Sequence, residues 1–173
     1  STNGWLQKAF FPGAARHGAA GFSIGAKGYV GTGNNGSVSF NDFYEYNPSN
    51  DTWTQKTNLP GPARVEAVGV SANNKGYIGI GISQPGGTVY QDFYEYDPNT
   101  DAWTAKANFS GAARCDAIAF TIGYRIYVGA GMLNGSTSYD DFYEYNPTAD
   151  QWIQKATITG GFRVGGAGFS VGT

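Results

Sequence analysis

The sequence predicts an all-β fold in which one four-stranded antiparallel unit is repeated along the chain. A heptapeptide, DFYEYNP or DFYEYDP, stands at 42–48, 92–98 and 141–147. The chain has 27 glycines in 173 residues, with 16% aromatic and only 14% charged residues, a balance typical of turn-rich β structure. A fixed period of about 50 residues indicates a small unit that buries its apolar face only against copies of itself. Two further columns keep this period: Trp5, Trp53, Trp103 and Trp152, and Arg16, Arg64, Arg114 and Arg163.

Four strands, here called a to d, follow each of these arginines in order. Strand a alternates between two sets of residues, with Ala20, Phe22 and Ile24 on one side, which is the period of a half-buried strand. Strand b is GYVGTG, GYIGIG or IYVGAG, strand c is the heptapeptide, and strand d is TWTQK, AWTAK or QWIQK. Asx-Pro segments between strands c and d predict tight hairpin turns. Each repeat is therefore predicted to be an antiparallel meander.

The distribution of residue sizes favours a radial arrangement of these units, the β-propeller. Strand a carries its smallest residues, such as Ala19, at equivalent sites, which suits strands that converge on an axis. The large rings lie in strands c and d, where sheets pack about 10 Å apart. We expect Phe43 and Glu45 on one face of strand c, and Tyr44 and Tyr46 on the other. The predicted fold is a β-propeller of four-stranded antiparallel blades, with three complete blades at about 15–57, 63–107 and 113–156 and an extra strand at each end, at 4–10 and 163–171.

The order of motifs within one repeat resembles that of the kelch family. An Arg opens strand a, a Tyr-hydrophobic pair runs into glycines, an Asp-aromatic strand ends in Asn-Pro or Asp-Pro, and a Trp follows in strand d. The resemblance covers essentially the whole chain, and it implies a kelch-type propeller similar to bacterial secreted ones and to the central domain of galactose oxidase. WD40 repeats have a shorter period and a Trp-Asp pair, which this chain lacks. In one departure from the kelch Gly-Gly pair, Thr32, Ile80 and Ala130 hold its first position. The resemblance also implies an extracellular or cell-surface location.

Composition and charge exclude several classes of function. A net charge of −2 gives no support to a nucleic-acid partner, because phosphate binding needs a basic stripe. No run of 18 apolar residues occurs, so we expect no membrane span. One Cys and one His provide neither a disulfide framework nor the ligands of a zinc site or of a galactose-oxidase-like copper site, and no cofactor is expected.

The ends of the repeat array leave open blade faces, which associate readily. The chain opens with Ser1 rather than Met, so we expect it to be processed or cut from a longer protein. Two interpretations stay open: a segment of a larger propeller that continues in a longer chain, or a half-propeller that self-associates.

Differences between the repeats, rather than the shared columns, point to the candidate site. All length changes fall in the b-c loops at 34–40, 82–90 and 132–139, and variable loops on a rigid scaffold are where binding usually resides. Glu66 and Asp116 share one position, two residues after the Arg, where the other copies have Gly18 and Gly165. We therefore predict a ligand site at the mouth of the central channel, on the face of the b-c loops. Its residues are Arg16, His17, Arg64, Glu66, Arg114, Asp116 and Arg163. The loop aromatics Phe40, Tyr90 and Tyr139 are placed either to stack on sugar rings or, since they abut strand c, to pack against the scaffold.

Structural interpretations stand beside this site. The arginines are also placed to pair with a backbone carbonyl or with Glu45, Glu95 and Glu144. Cys115 follows an Arg and is open to a lowered pKa or to simple packing, while His17 fits an ordinary strand end. The aspartates before the tryptophans, namely Asp51, Asp101 and Asp150, are interpreted as turn residues.

These observations favour a non-catalytic binding module whose loop face recognises a protein or a carbohydrate. The first alternative is a carbohydrate-active enzyme like the kelch-type sialic acid epimerases, with Arg64 and Arg114 clamping a carboxylate and Glu66 or Asp116 as base. The second alternative is a structural half-propeller that assembles with itself.

Overall fold

Every regular element in the computed structural model, which describes residues 4–85 and 87–170, is a β-strand. Twelve of the strands form three four-stranded antiparallel sheets, each joined as a meander in the predicted order a, b, c, d. Unit 1 contains β1 (Ala20–Ile24), β2 (Lys27–Gly31), β3 (Phe43–Asn47) and β4 (Thr52–Lys56). Unit 2 contains β5 (Val68–Ala72), β6 (Lys75–Gly79), β7 (Phe93–Asp97) and β8 (Ala102–Lys106). Unit 3 contains β9 (Ile118–Ile122), β10 (Arg125–Gly129), β13 (Phe142–Asn146) and β14 (Gln151–Lys155), and its b-c loop adds a hairpin of β11 (Met132–Leu133) and β12 (Thr137–Ser138).

The sheets pack on one another in an arrangement like that of a β-propeller. The repeated heptapeptide forms the third strand of each sheet, and its first aromatic residue packs onto the following unit. Phe43 makes edge contacts with Tyr96 and Trp103, with ring centroids 4.8 and 5.0 Å apart. Phe93 contacts Tyr145 and Trp152 in the same way, at 5.2 and 5.1 Å. The heptapeptide therefore supplies the aromatic layer between units, because its residues alternate between two faces of the strand.

The first strands of the units, β1, β5 and β9, lie side by side at the centre of the array. A Cβ at Gly69 would lie 2.9 Å from the backbone nitrogen of Gly21, so this approach requires a glycine. A cavity of 160 Å³ follows these strands and is lined by small residues from all three units. The expectation that strand a carries small residues because strands converge there is confirmed.

A second contact between units uses the aspartates of the c-d turns. Asp101 Oδ1 accepts a hydrogen bond from the backbone N–H of Thr57 in the preceding unit (3.1 Å), and Trp103 Nε1 donates one to the carbonyl of Thr57 (2.8 Å). Asp150 and Trp152 hold Ala107 in the same way, with distances of 2.8 and 3.0 Å. The interpretation of these aspartates as turn residues alone was incomplete, since each also binds the neighbouring unit.

The extra strands predicted at 4–10 and 163–171 are not formed. Residues 4–16 and 156–170 carry no strand, and residue 171 lies outside the described residues. Both segments still lie along the array through isolated hydrogen bonds, among them Ala9 N–H to Asp51 (2.9 Å) and Gly131 N–H to the carbonyl of Arg163 (2.8 Å). A strand needs a neighbouring ladder, and the described part of the chain contains none beyond these two edges.

No helix in the described residues is long and apolar enough to cross a bilayer.

Candidate binding site at the axial mouth

One residue from each unit, and one from the C-terminal segment, lines a cavity beside the first strands of the units, and we call this cavity the axial mouth. Gly18, Glu66, Asp116 and Gly165 all have left-handed backbone conformations, with φ of 58°, 59°, 53° and 61°. Their main chains form a chain of hydrogen bonds from unit to unit: Glu66 N–H to Gly18 O (2.9 Å), Asp116 N–H to Glu66 O (3.3 Å) and Gly165 N–H to Asp116 O (3.2 Å). Together with Ala19, Ala67, Ala117 and Gly166 they line a cavity of 240 Å³.

At Gly18, the neighbouring residue in the next unit leaves no room for a side chain. A Cβ at Gly18 would lie under 3.0 Å from Val65 Cγ2, a separation that real Cβ atoms do not show. The equivalent neighbour of Glu66 is Cys115, whose side chain is smaller and lacks the branch of valine. Unit 2 therefore has room for a carboxylate at the mouth where unit 1 requires glycine.

Burial at the mouth changes the acid chemistry of two side chains. Burial raises the pKa of the Asp116 carboxyl above its ordinary value. Burial, and next to it the Glu66 carboxylate, raise the pKa of the Cys115 thiol to about 12. The possibility of a lowered pKa at Cys115 was thus wrong; the thiol is a packing group in a cluster with Val65 and Ile82.

Three of the four predicted arginines, Arg16, Arg64 and Arg114, are bound by scaffold groups. Arg64 is fully buried; its Nε donates to Pro62 O (3.0 Å), its Nη1 to Ile80 O (2.9 Å), and both terminal nitrogens bind the Asp92 carboxylate. The same pattern recurs at Arg16 with Asp42 and at Arg114 with Asp141. The predicted carbonyl partner is confirmed.

The predicted glutamate partners are wrong. Glu45, Glu95 and Glu144 instead accept hydrogen bonds from the tyrosines of strand b, namely Tyr29, Tyr77 and Tyr127. These glutamates lie three residues further along the heptapeptide than Asp42, Asp92 and Asp141, the aspartates that the guanidinium groups bind.

The loop aromatics cover the same guanidinium groups. The ring centroids of Phe40, Tyr90 and Tyr139 lie 4.5, 4.6 and 4.3 Å from the Cζ atoms of Arg16, Arg64 and Arg114. Such stacking on a desolvated guanidinium is a stabilising cation–π contact. These half-buried rings are therefore occupied by the scaffold.

The remaining two predicted residues lie at the two edges of the array. His17 exchanges backbone hydrogen bonds of 3.0 Å with Asn34, and its side chain is exposed. Arg163 is also exposed, and its Nη2 donates to Gly160 O at 3.4 Å. Of the predicted set, the structure places Glu66 and Asp116 together in the lining of the mouth.

Hydrogen bonds join the first and second b-c loops. Ser39 of the first loop donates to Gln84 O of the second through its backbone nitrogen and through Oγ, each at 3.1 Å, and Gln84 N–H returns a bond of 2.9 Å to Ser39 Oγ. The segments 35–38 and 133–137 are exposed at the tips. No group of three or more His, Cys, Asp or Glu side chains is arranged as metal ligands in the residues that the structure describes.

Comparison with known proteins shows the fold. No family model and no curated protein matches the chain. A solved structure of a protein named YjhT superposes with a TM-score of 0.78 at 19% sequence identity, over 92% of this chain and 57% of that one. This chain therefore spans little more than half the length of YjhT, and at this identity the likeness shows a shared fold alone.

Proposed function

We propose that this protein is a non-catalytic binding module of the kelch-type propeller class, and that the axial mouth takes a neutral carbohydrate. The observation that carries the proposal is the pair of carboxylates, Glu66 and Asp116, held in left-handed conformations where Gly18 and Gly165 stand in the other copies. A left-handed conformation costs a non-glycine residue about 1–2 kcal/mol. Strain of this kind concentrates at functional sites. Other copies of the repeat in this chain avoid the strain by having glycine at the same position.

The chemistry of the mouth supports a ligand rich in hydroxyl groups. Carboxylate oxygens accept hydrogen bonds, and sugar hydroxyls donate them. The arginines below the mouth are already bonded to Asp42, Asp92 and Asp141, so they supply no free cation for an acidic ligand. The cavity of 240 Å³ lies below the roughly 300–1,000 Å³ of sites for drug-sized ligands, which favours one or two sugar units.

The test is a glycan array followed by calorimetric titration of the neutral sugars that bind. The variants Glu66→Gly and Asp116→Gly introduce the residue that units of this chain already carry, so we expect both to fold and the pair to lose binding. Ala130→Gly is the matched control, because it also replaces a left-handed residue (φ 56°) but lies away from the mouth. Unchanged binding in the double glycine variant, or a protein that binds no neutral sugar, would overturn the assignment to carbohydrate. A protein ligand would then be sought across the exposed loop tips.

The alternative of an arginine-assisted enzyme receives less support from the geometry. Arg64 and Arg114 would have to give up bidentate bonds to Asp92 and Asp141 in order to clamp a substrate carboxylate. Breaking one partner out of a buried ion pair leaves an uncompensated charge, which costs several kcal/mol. We therefore propose binding without catalysis, and the kelch resemblance leads us to propose an extracellular or cell-surface setting, testable by fractionating cells that express the native gene.

A second candidate function, self-association, is favoured by the outer faces of units 1 and 3. Phe142 is half-buried, whereas its equivalents Phe43 and Phe93 are buried under the Tyr-Trp pair of the next unit. Unit 1 offers such a pair, Tyr46 and Trp53, whose outer side carries no phenylalanine from a preceding strand c in the described residues. A second copy packed head to tail would supply the missing contact. Light scattering over a dilution series tests this; a monomer at all concentrations, unaffected by Phe142→Ser, would exclude it.

A further inference from the structure

The a-b turn of unit 3 differs in chemistry from the same turn in the other units. Tyr124 and Arg125 stand where unit 1 has Ala26 and Lys27, and where unit 2 has Asn74 and Lys75. The Tyr124 side chain is 53% exposed, and its ring centroid lies 4.7 Å from Arg125 Cζ. By topology this turn lies on the face opposite the b-c loops, so it is separate from the axial mouth.

The charges around this turn are not balanced. In unit 1, Lys27 has Glu45 at 2.6 Å, while Lys56 pairs with Asp101 of the next unit at 3.6 Å. In unit 3, two cations share Glu144: Lys155 Nζ approaches it at 3.0 Å, and Arg125 Nε lies 3.5 Å away.

Arg125 is also short of hydrogen-bond partners. Its Nη1 is buried and has no hydrogen-bond partner among the described residues, in contrast to the fully bonded terminal nitrogens of Arg64. The Arg125 side chain as a whole is 27% exposed and shares one carboxylate with Lys155, and this excess of one positive charge suits an added anion.

A cavity of 400 Å³ adjoins Arg125 and has the lining of a sugar site. It is bounded by Asn73, Tyr124, Arg125, Asn146 and Thr148. Tyr124 provides an exposed ring, Thr148 a hydroxyl, and the two asparagines side-chain amides. Asn146 Oδ1 already accepts the backbone N–H of Thr148 (3.1 Å), which leaves its NH₂ group to donate to a ligand. The volume lies within the roughly 300–1,000 Å³ of small-molecule sites.

We propose that this cavity between units 2 and 3 binds a carboxylated pyranose of the uronic acid class. The carboxylate pairs with the Arg125 guanidinium, the pyranose ring lies on Tyr124, and the hydroxyls bond to Asn73, Asn146 and Thr148. One carboxylate matches the single excess charge, whereas a phosphate monoester would bring close to two. The inference does not rest on the axial mouth, which lies on the other face and lacks a free cation.

The experiment is calorimetric or NMR titration of the intact chain with glucuronic acid, and with glucose as the neutral counterpart. We expect glucuronic acid to bind at least about tenfold more tightly than glucose, since a charge-assisted bond is worth one such factor or more. Tyr124→Ala and Arg125→Lys install the residues that unit 1 already carries, so both variants fold, and each loses about tenfold in affinity. Lys27→Arg makes the reverse change in unit 1 and leaves the affinity unchanged.

Three results would overturn the proposal. Equal affinity for glucuronic acid and glucose would remove the role of Arg125. Competition by inorganic phosphate as strong as by glucuronic acid would show a simple anion site. Loss of glucuronic acid binding in Glu66→Gly and Asp116→Gly, with full binding in Tyr124→Ala, would place the acid sugar at the axial mouth instead.

Discussion

Replacing Cys115 with valine tests how the axial mouth accommodates Glu66. Valine is the residue at the equivalent position in unit 2, Val65, where it enforces a glycine at position 18. Cys115→Val therefore places a branched side chain against the Cβ of Glu66, whose φ of 59° matches the 58° of Gly18. We expect the variant to be destabilised, and Glu66→Gly to restore it.

The size of the effect follows from the geometry at Gly18. A Cβ there would approach Val65 Cγ2 to under 3.0 Å, against about 3.5–4.0 Å for an ordinary carbon contact. Overpacking of this kind costs about 1–3 kcal/mol. Glu66→Gly alone removes about 1–2 kcal/mol of left-handed strain and adds about 0.5–1 kcal/mol of backbone entropy cost, so its net effect is between about 0 and 1.5 kcal/mol of stabilisation.

The assay is urea unfolding of the wild type, the two single variants and the double variant. A coupling of about 1–3 kcal/mol between the two changes is expected, with the double variant close to the wild type. Cys115→Ala is the control, because it removes the thiol without adding a branch. If the two changes add within about 0.5 kcal/mol, the steric account of the mouth is refuted.

Three further predictions follow from the same contacts. Asp101→Ala removes the acceptor for the Thr57 N–H, so we expect a loss of about 1–2 kcal/mol in the free energy of unfolding at neutral pH. Burial alone would raise the pKa of Asp101, but the Thr57 N–H, the Tyr96 hydroxyl and nearby Lys56 lower it below its ordinary value. The stability that Asp101 contributes is therefore present above its unfolded pKa and disappears as the pH falls through its folded pKa. An Asp101→Ala protein that loses stability at acidic pH just as the wild type does would contradict this. Ala130→Gly relieves a left-handed residue at φ 56°, and thermal unfolding should show a stability within about 1 kcal/mol of the wild type or above it. A larger loss would mean that packing of the Ala130 methyl group stabilises the fold by more than its backbone strain destabilises it. The pKa of Asp116 is raised in the folded state, so its contribution to the free energy of unfolding declines as the pH rises from the unfolded value of 3.8 through the folded pKa. Asp116→Asn should flatten this decline in melting temperatures measured over a pH series. A pH profile identical to that of the wild type would exclude the burial of Asp116 as the cause.

The secondary structure was predictable because its signals are local. Period-two alternation in strand a, glycines in strand b and Asx-Pro turns after strand c fix strands and hairpins within a few residues of themselves. The same signals failed at 4–10 and 163–170, where the pattern of a strand is present but the described residues offer no neighbouring strand to pair with it. Residues that recur at the same position in every repeat were also interpreted as structural, and the hydrogen bond of Arg64 to the Ile80 carbonyl agrees with this.

The partners of these columns were beyond the reach of the sequence. Repeat spacing offers Arg64 two carboxylates in register, Asp92 and Glu95, and only the packing of strand c beside the arginine selects the aspartate. The sequence left open whether Tyr90 faces a ligand or packs, and the folded loop lays it over the Arg64 guanidinium.

The sequence by itself determined the repeat, the strand order and the position at which the units differ, because these depend on alternation, turn residues and register within one chain. The tertiary structure alone decided what surrounds the side chain at that position. Glu66 stands in a left-handed conformation beside Cys115 of the next unit, whereas Gly18 faces Val65, and these contacts join residues about 50 positions apart in the chain. Contacts of this kind depend on how one unit packs on the next, and no local pattern encodes them.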